Sequence, residues 1–183
     1  RRIAVFDRQV RDKTHLTQMY EVGKCKHPTT GADTFYIIMD YVDKGVIATK
    51  DRETGIYEIR DDITYDKIPE IVRKMFLGIK AVHDVGLVIR DIKLGNVLLS
   101  GDHETLYIDD IETVAEIDEI LAGNRVTEAS DNYMAPELFE SSKNASESTD
   151  LYAAAVCLLH MYVRDIECNR GFNLLPEEQY KND

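Results

Sequence analysis

The chain has 183 residues, 44% of them hydrophobic and 31% charged, with a formal net charge of -12 and a pI near 4.8. That mix supports one sizeable buried core, and the negative balance argues against a general nucleic-acid or anionic-membrane binder, since both need positive surface. Three cysteines, Cys25, Cys157 and Cys168, are too few and odd in number for a disulfide framework and point to a reducing compartment; no targeting segment is recognisable.

In chain order, Ile3-Ala4-Val5-Phe6 reads as a short apolar strand. Leu16, Met19, Tyr20 and Gly23 recur at helical spacing and predict a helix ahead of His27-Pro28. Phe35 to Val42 is rich in aromatic and β-branched residues and predicts a strand running into Asp43-Lys44-Gly45. Lys50 to Asp66 is polar and charged, an insertion or a partner-binding loop. Ile68, Ile71, Val72, Met75, Phe76, Ile79 and Val82 then form one apolar stripe, with Glu70, Arg73, Lys74 and Lys80 between them. This predicts an amphipathic helix ending near His83-Asp84, closed by Gly86 as a left-handed residue. Leu87-Val88-Ile89, Val97-Leu98-Leu99 and Leu106-Tyr107-Ile108 read as three short strands, with Gly101-Asp102 turning between the last two. Further on, Ser148 or Thr149 caps a helix that has Asp150 in its first turn and runs to Val163. It is apolar nearly all round, hence expected to be buried, and falls short of the roughly 20 apolar residues of a membrane span. Cys157 and His160 on it read as buried helix residues rather than metal ligands.

The chemistry concentrates between the first two short strands, in Ile89-Arg90-Asp91-Ile92-Lys93-Leu94-Gly95-Asn96. An Asp can orient a hydroxyl proton, a Lys two residues on can sit over a phosphate, and an Asn five residues on can reach a divalent metal. The third strand ends at Asp109-Asp110-Ile111-Glu112. That carboxylate pair is either part of the same metal site or two solvated residues at a strand end. The other acidic residues between Asp102 and Glu119 read as a solvated face, one that also favours a basic substrate. Tyr133-Met134-Ala135-Pro136-Glu137 follows.

These segments, in this order, resemble the eukaryotic protein kinase domain. The catalytic loop H-R-D-x-x-x-x-N is matched with Ile89 in place of His, and Lys93 is the choice typical of serine/threonine kinases. The resemblance implies that Asp91 and Lys93 are catalytic, that Asn96 and Asp110 hold Mg²⁺, and that ATP is the phosphoryl donor. It makes Met39 the gatekeeper. The main chain of Asp40 and Val42 reads adenine, and Leu98 lies beneath the base. It makes Ala135-Pro136-Glu137 the end of the activation segment and Ser130 a brace for the catalytic loop. Arg90 becomes a partner for an activation-loop phosphate, with Thr127 the best-placed acceptor. Tyr152 stands where the family has Trp. The hinge, the Asp91-Ile92-Lys93-Leu94-Gly95-Asn96 stretch and the segment after Asp110 look most similar to the upstream kinases of the AMP-activated-kinase pathway, including calmodulin-dependent kinase kinases.

The resemblance also has gaps. No glycine-rich loop is visible, and Phe6 stands where the family's strand Lys is expected. Counting back from His27-Pro28 puts Gln18 at the helix Glu that pairs with that Lys, and Glu112 replaces the Gly after the metal Asp. A full large lobe needs further helices beyond Asp183, including the Arg that pairs with Glu137, so the chain is expected to be a fragment or a reduced version. The fold class expected is α+β, two-lobed and kinase-like: residues 1–42 as a partial small lobe with the start of the hinge, and residues 43–183 as a partial, mainly helical large lobe. The function expected is a cytoplasmic ATP-dependent serine/threonine kinase acting on a protein substrate. It is expected to have a regulatory protein partner but neither nucleic acid nor membrane. A catalytically impaired pseudokinase acting as a binding or allosteric module is the alternative, supported by Phe6, Gln18 and Glu112. An unrelated α/β enzyme is a third reading, disfavoured by the motif order.

Overall fold

The computed structural model describes residues 6, 8–53, 57–101, 105–109, 113–121 and 133–164. A strand-rich region comes first. β1 (Met19–Lys26) and β2 (Asp33–Met39) form an antiparallel hairpin running from Met19↔Met39 to Lys26↔Asp33. His27-Pro28 lies at its turn, which the Ala32 carbonyl closes by accepting the His27 N–H at 2.9 Å. The helix expected over Leu16 to Gly23 is thus an extended segment and a strand, and Gln18 is on no helix. The physical reason is that Met19 is the one buried residue of β1, so the strand shows no apolar alternation. Leu16 is buried for a separate reason, bridging in parallel to Ile108.

The chain's start is corrected in the opposite sense. Phe6 is helical, as are Arg8 and Gln9, and the Phe6 carbonyl accepts the Val10 N–H at 2.9 Å. Phe6 and Val10, one helical turn apart, are both buried in the core. Phe6 therefore does not stand at the end of a strand, and neither it nor Gln18 occupies the position from which loss of the Lys–Glu ion pair was inferred. Glu112, the remaining departure, lies outside the described residues.

The polar stretch after the hinge folds into a second antiparallel hairpin, β3 (Ala48–Lys50) with β4 (Tyr57–Ile59). It is bound tightly to its surroundings. Ile47 N–H donates to the Val97 carbonyl at 2.8 Å and Arg60 N–H to the Ile47 carbonyl at 3.0 Å. The Arg60 guanidinium reaches the Lys44 carbonyl at 2.9 Å and pairs with Asp62.

α1 (Ile68–His83) buries the foreseen stripe through Ile68, Ile71, Met75, Ile79 and Val82. Its outer face carries Glu70, whose carboxyl is pulled down to about 2 by hydrogen bonding from Arg73 and the charges of Arg73 and Lys74. Gly86 follows the helix at φ 74°, a conformation glycine adopts without steric penalty. Gly78 is needed for a different reason: a β-carbon there would lie 2.9 Å from the His15 carbonyl oxygen and 3.0 Å from Ile108 Cδ1. Alanine gains about 1 kcal/mol of helix propensity, but forcing apart a packed backbone costs about 1–3 kcal/mol. Gly78→Ala is expected to lower the melting midpoint by a few degrees. A midpoint equal to or above wild type would show that the contact yields freely.

β5 (Leu87–Val88) pairs with β8 (Ala115–Glu116), and β6 (Val97–Leu99) pairs with β7 (Leu106–Ile108), both antiparallel. Three helices complete the described residues: α2 (Ile117–Leu121), α3 (Pro136–Glu140) and α4 (Glu147–Tyr162). The cap of α4 is Ser146, in a capping box with Thr149, so the helix starts earlier than expected. Leu151, Tyr152, Leu159 and Tyr162 are 41–45% exposed, so α4 is not buried all round in these residues. One hydrophobic cluster joins Phe6, Val10, Leu16 and Met19 to the inner faces of α1 and α4, and a smaller one underlies Ala135 and Leu138. Among the described residues no helix is long and apolar enough to cross a membrane.

Candidate active site

Asp91, Lys93 and Asn96 lie on the connection from β5 to β6. Local chemistry shapes this loop. Ile92 and Leu94 are buried and anchor it, Lys93 is extended, and Leu94–Asn96 makes a 3₁₀ turn closed by Asn96 N–H donating to the Lys93 carbonyl at 2.9 Å. The three polar side chains converge. Asn96 Nδ2 donates to the Asp91 carbonyl at 2.9 Å and to its Oδ2 at 3.2 Å, and Lys93 Nζ is ion-paired with the same Oδ2. Asp91 and Asn96 are 6% and 8% exposed, a burial that a carboxylate tolerates only when paired and hydrogen-bonded. Both contacts of Asn96 to Asp91 run through its amide nitrogen Nδ2.

The loop is hung from α4. Asp150, 1% exposed, accepts the Ile89 N–H at 2.7 Å and the Arg90 N–H at 2.8 Å, and His83 Nε2 donates to it at 2.8 Å. By its sequence Asp150 is a first-turn acid that suits the helix dipole, and no local signal reveals its partners, which lie 60 and 61 residues away. Arg90 pays for this anchorage with φ 75°, uncommon outside glycine. Its Nε donates to the Thr113 carbonyl at 2.8 Å, while Nη1 is buried with no hydrogen-bond partner among the described residues. Burial lowers the Arg90 pKa, and the charge of Asp150 opposes that.

Asp109 N–H donates to the Asn96 carbonyl at 2.8 Å, which brings the end of β7 beside the loop, and Asp109 Oδ1 accepts the hydroxyl of buried Thr17 at 2.9 Å. Thr17 is a contact that sequence reasoning missed. Asp110, Ile111, Glu112, Thr127 and Ser130 lie outside the described residues. Among the described residues no group of three or more His, Cys, Asp or Glu side chains is placed to hold a metal.

Met39, half-buried, ends β2. Asp40 N–H donates to the Gln18 carbonyl at 2.9 Å, and the Asp40 carboxylate accepts the Gln18 N–H at 2.9 Å and the Tyr20 hydroxyl. Gln18 thus braces Asp40, just past the end of β2. The Asp40 carbonyl and the Val42 N–H have no hydrogen-bond partner among the described residues. Leu98, half-buried between Val97 and Leu99, bridges antiparallel to Val46, so the residues after the hinge run alongside it.

Ala135-Pro136-Glu137 opens α3, with Ala135 as N-cap and Pro136 in the first turn. Tyr133 just before it is buried and shares a 2.9 Å hydrogen bond with His160 Nδ1 on α4. Burial pushes the Tyr133 phenol up and the His160 imidazole down, so both are neutral there near pH 7.

Comparison with known proteins agrees with this arrangement. A family model of the protein kinase domain matches residues 8–173. The membrane-associated tyrosine- and threonine-specific cdc2-inhibitory kinase of Drosophila melanogaster is 31% identical over 99 residues, 54% of this chain and 18% of that protein. Mitogen-activated protein kinase kinase kinase mom-4 of Caenorhabditis briggsae is 24% identical over 166 residues, 90% of this chain and 28% of its own length. Serine/threonine-protein kinase KSP1 of Saccharomyces cerevisiae is 30% identical over 148 residues, 76% and 14%. The chain spans less than a third of the length of each of these relatives. With a strand-rich region leading into a helical one, the D-x-K-x-x-N loop hung from a buried helix Asp, and the family match over most of its length, this chain belongs to the protein kinase domain family.

Proposed function

We propose that the chain is the greater part of an ATP-dependent serine/threonine kinase domain that phosphorylates a protein hydroxyl. Asp91 orients the attacking hydroxyl, and Lys93 stabilises the transferred phosphoryl group by its charge. Asn96 and Asp110 hold Mg²⁺, which when bound offsets the charge of the nucleotide phosphates. The Asp40 carbonyl and Val42 N–H take adenine, with Met39 behind it and Leu98 beneath. The observation that carries this reading is the convergence of Lys93 and Asn96 on the buried Asp91 carboxylate. A packing-only role does not require an Asp, a Lys and an Asn to meet at one oxygen.

The lobe boundary is assigned to residues 42/43, and the location to the cytoplasm, on the strength of the sequence alone. A regulatory protein partner is part of the same reading. The likeness to upstream kinases of the AMP-activated-kinase pathway rests on hinge and loop sequence; the relatives above come from several kinase groups.

The test is thermal melting of the purified chain with Mg²⁺-ATP, with ATP plus chelator, and in the Asp110→Asn variant. Nucleotide at a hundred times its dissociation constant adds about 2.7 kcal/mol, or a rise of about 5 °C or more for a domain of this size. The rise is expected to need both Mg²⁺ and Asp110. No rise at millimolar nucleotide would turn the assignment to a binding module instead.

A further inference from the structure

The hairpin β3–β4 lies against the catalytic loop, and one ring makes the contact. Tyr57 is 8% exposed, and its Cε1 lies 2.7 Å from where a β-carbon on Gly95 would be. Gly95 sits between Lys93 and Asn96, so the Tyr57 ring occupies the space of the side chain that the loop lacks at its centre. The same ring meets Tyr133 edge-on, with centroids 5.7 Å apart at 73°, and Tyr133 in turn stacks on His160 at 6.1 Å. Burial raises the pKa of the Tyr57 phenol, and Lys93 and Asp91 are close enough for their charges to act on it, Lys93 lowering the pKa and Asp91 raising it further. One aromatic side chain thus touches the turn that ends the Asp91–Asn96 loop and the residue that introduces Ala135-Pro136-Glu137.

We propose that Tyr57 is a positioning residue: packed on the bare backbone of Gly95 and against Tyr133, it holds the Asp91–Asn96 loop and the Tyr133–Glu137 segment in one fixed relation. The packed ring is the active part. No hydrogen bond engages the Tyr57 hydroxyl among the described residues, so phenylalanine is expected to serve. The consequence for transfer rests on the assignment of Asp91 and Lys93 made above; the mechanical coupling does not.

Two kinds of readout separate these. The first is independent of activity. Amide hydrogen exchange on the nucleotide-free chain is expected to rise several-fold at both Lys93–Val97 and Tyr133–Met134 in Tyr57→Ala, with α1 unchanged, and to remain at the wild-type level in Tyr57→Phe. Gly95→Ala is expected to lower the melting midpoint by several degrees, and the double variant Gly95→Ala/Tyr57→Ala to melt no lower than Tyr57→Ala alone, because the clash is gone. Exchange that rises only within the hairpin, or additive midpoint losses, would overturn the proposal. The second readout is kinetic. If the wild-type chain transfers phosphate, Tyr57→Ala should lower kcat about tenfold or more with the KM for ATP within about twofold, and Tyr57→Phe should restore it. A kcat in Tyr57→Ala within twofold of an active wild type would also overturn it. A wild-type chain that transfers nothing would count against the kinase assignment, while exchange and the melting cycle would still decide the role of Tyr57.

Discussion

Asp91→Asn is expected to lower phosphoryl transfer by about a thousandfold or more while leaving the Mg²⁺-ATP melting shift nearly intact. A positioned acid–base group contributes about 10²–10⁴ in rate, and the isosteric amide removes both the proton acceptor and the charge that holds Lys93 in place. The fold should bear the change. Asn96 keeps its 2.9 Å bond to the backbone carbonyl of residue 91, and a neutral amide is less costly than a carboxylate at a site 6% exposed. The measurement is transfer of labelled phosphate to the chain itself and to a generic protein acceptor, beside melting curves. Activity within tenfold of wild type would remove Asp91 from the chemistry and leave it a structural residue of the turn.

Asp150→Ala is expected to be the most damaging single change to the fold. Its carboxylate satisfies two buried backbone N–H groups and His83 at once. A buried donor left without a partner costs about 1–3 kcal/mol, so the loss is about 3–5 kcal/mol, a large part of the roughly 5–15 kcal/mol that stabilises a domain. The melting midpoint should fall by about 10 °C. It should also release Arg90 from its left-handed backbone and so disorder the loop that carries Asp91. Asp150→Asn keeps the shape and one good acceptor, and is expected to fold with a smaller midpoint loss but with strongly reduced transfer. A midpoint for Asp150→Ala within 2 °C of wild type would show that water satisfies those groups instead.

How much of this was legible in the chain depends on the range of the forces involved. The stripe of α1, the glycine at φ 74° and the strands on either side of the catalytic loop follow from periodicity and turn chemistry within a few residues. The D-x-K-x-x-N spacing already sets which groups can meet, because one six-residue stretch that ends in a tight turn carries all three. The start of the chain was misread because its cues were weak. Among the described residues there, Phe6 and Val10 are the core positions that mark a helical turn, and β1 buries one residue, too few to declare a strand.

The sequence by itself therefore carried the resemblance to the family, the order of the elements from α1 to β7 and the three polar residues that meet in the loop, the last two because they rest on local spacing. Tertiary structure alone decided that Asp150 and His83 suspend the loop after β5, that Gln18 and Thr17 brace Asp40 and Asp109, and that Tyr57 fills the space over Gly95. The reason is physical. These contacts join residues some 20 to 90 positions apart, and a side chain's local pattern carries no record of which distant backbone group will lose its water and need a partner when the core closes.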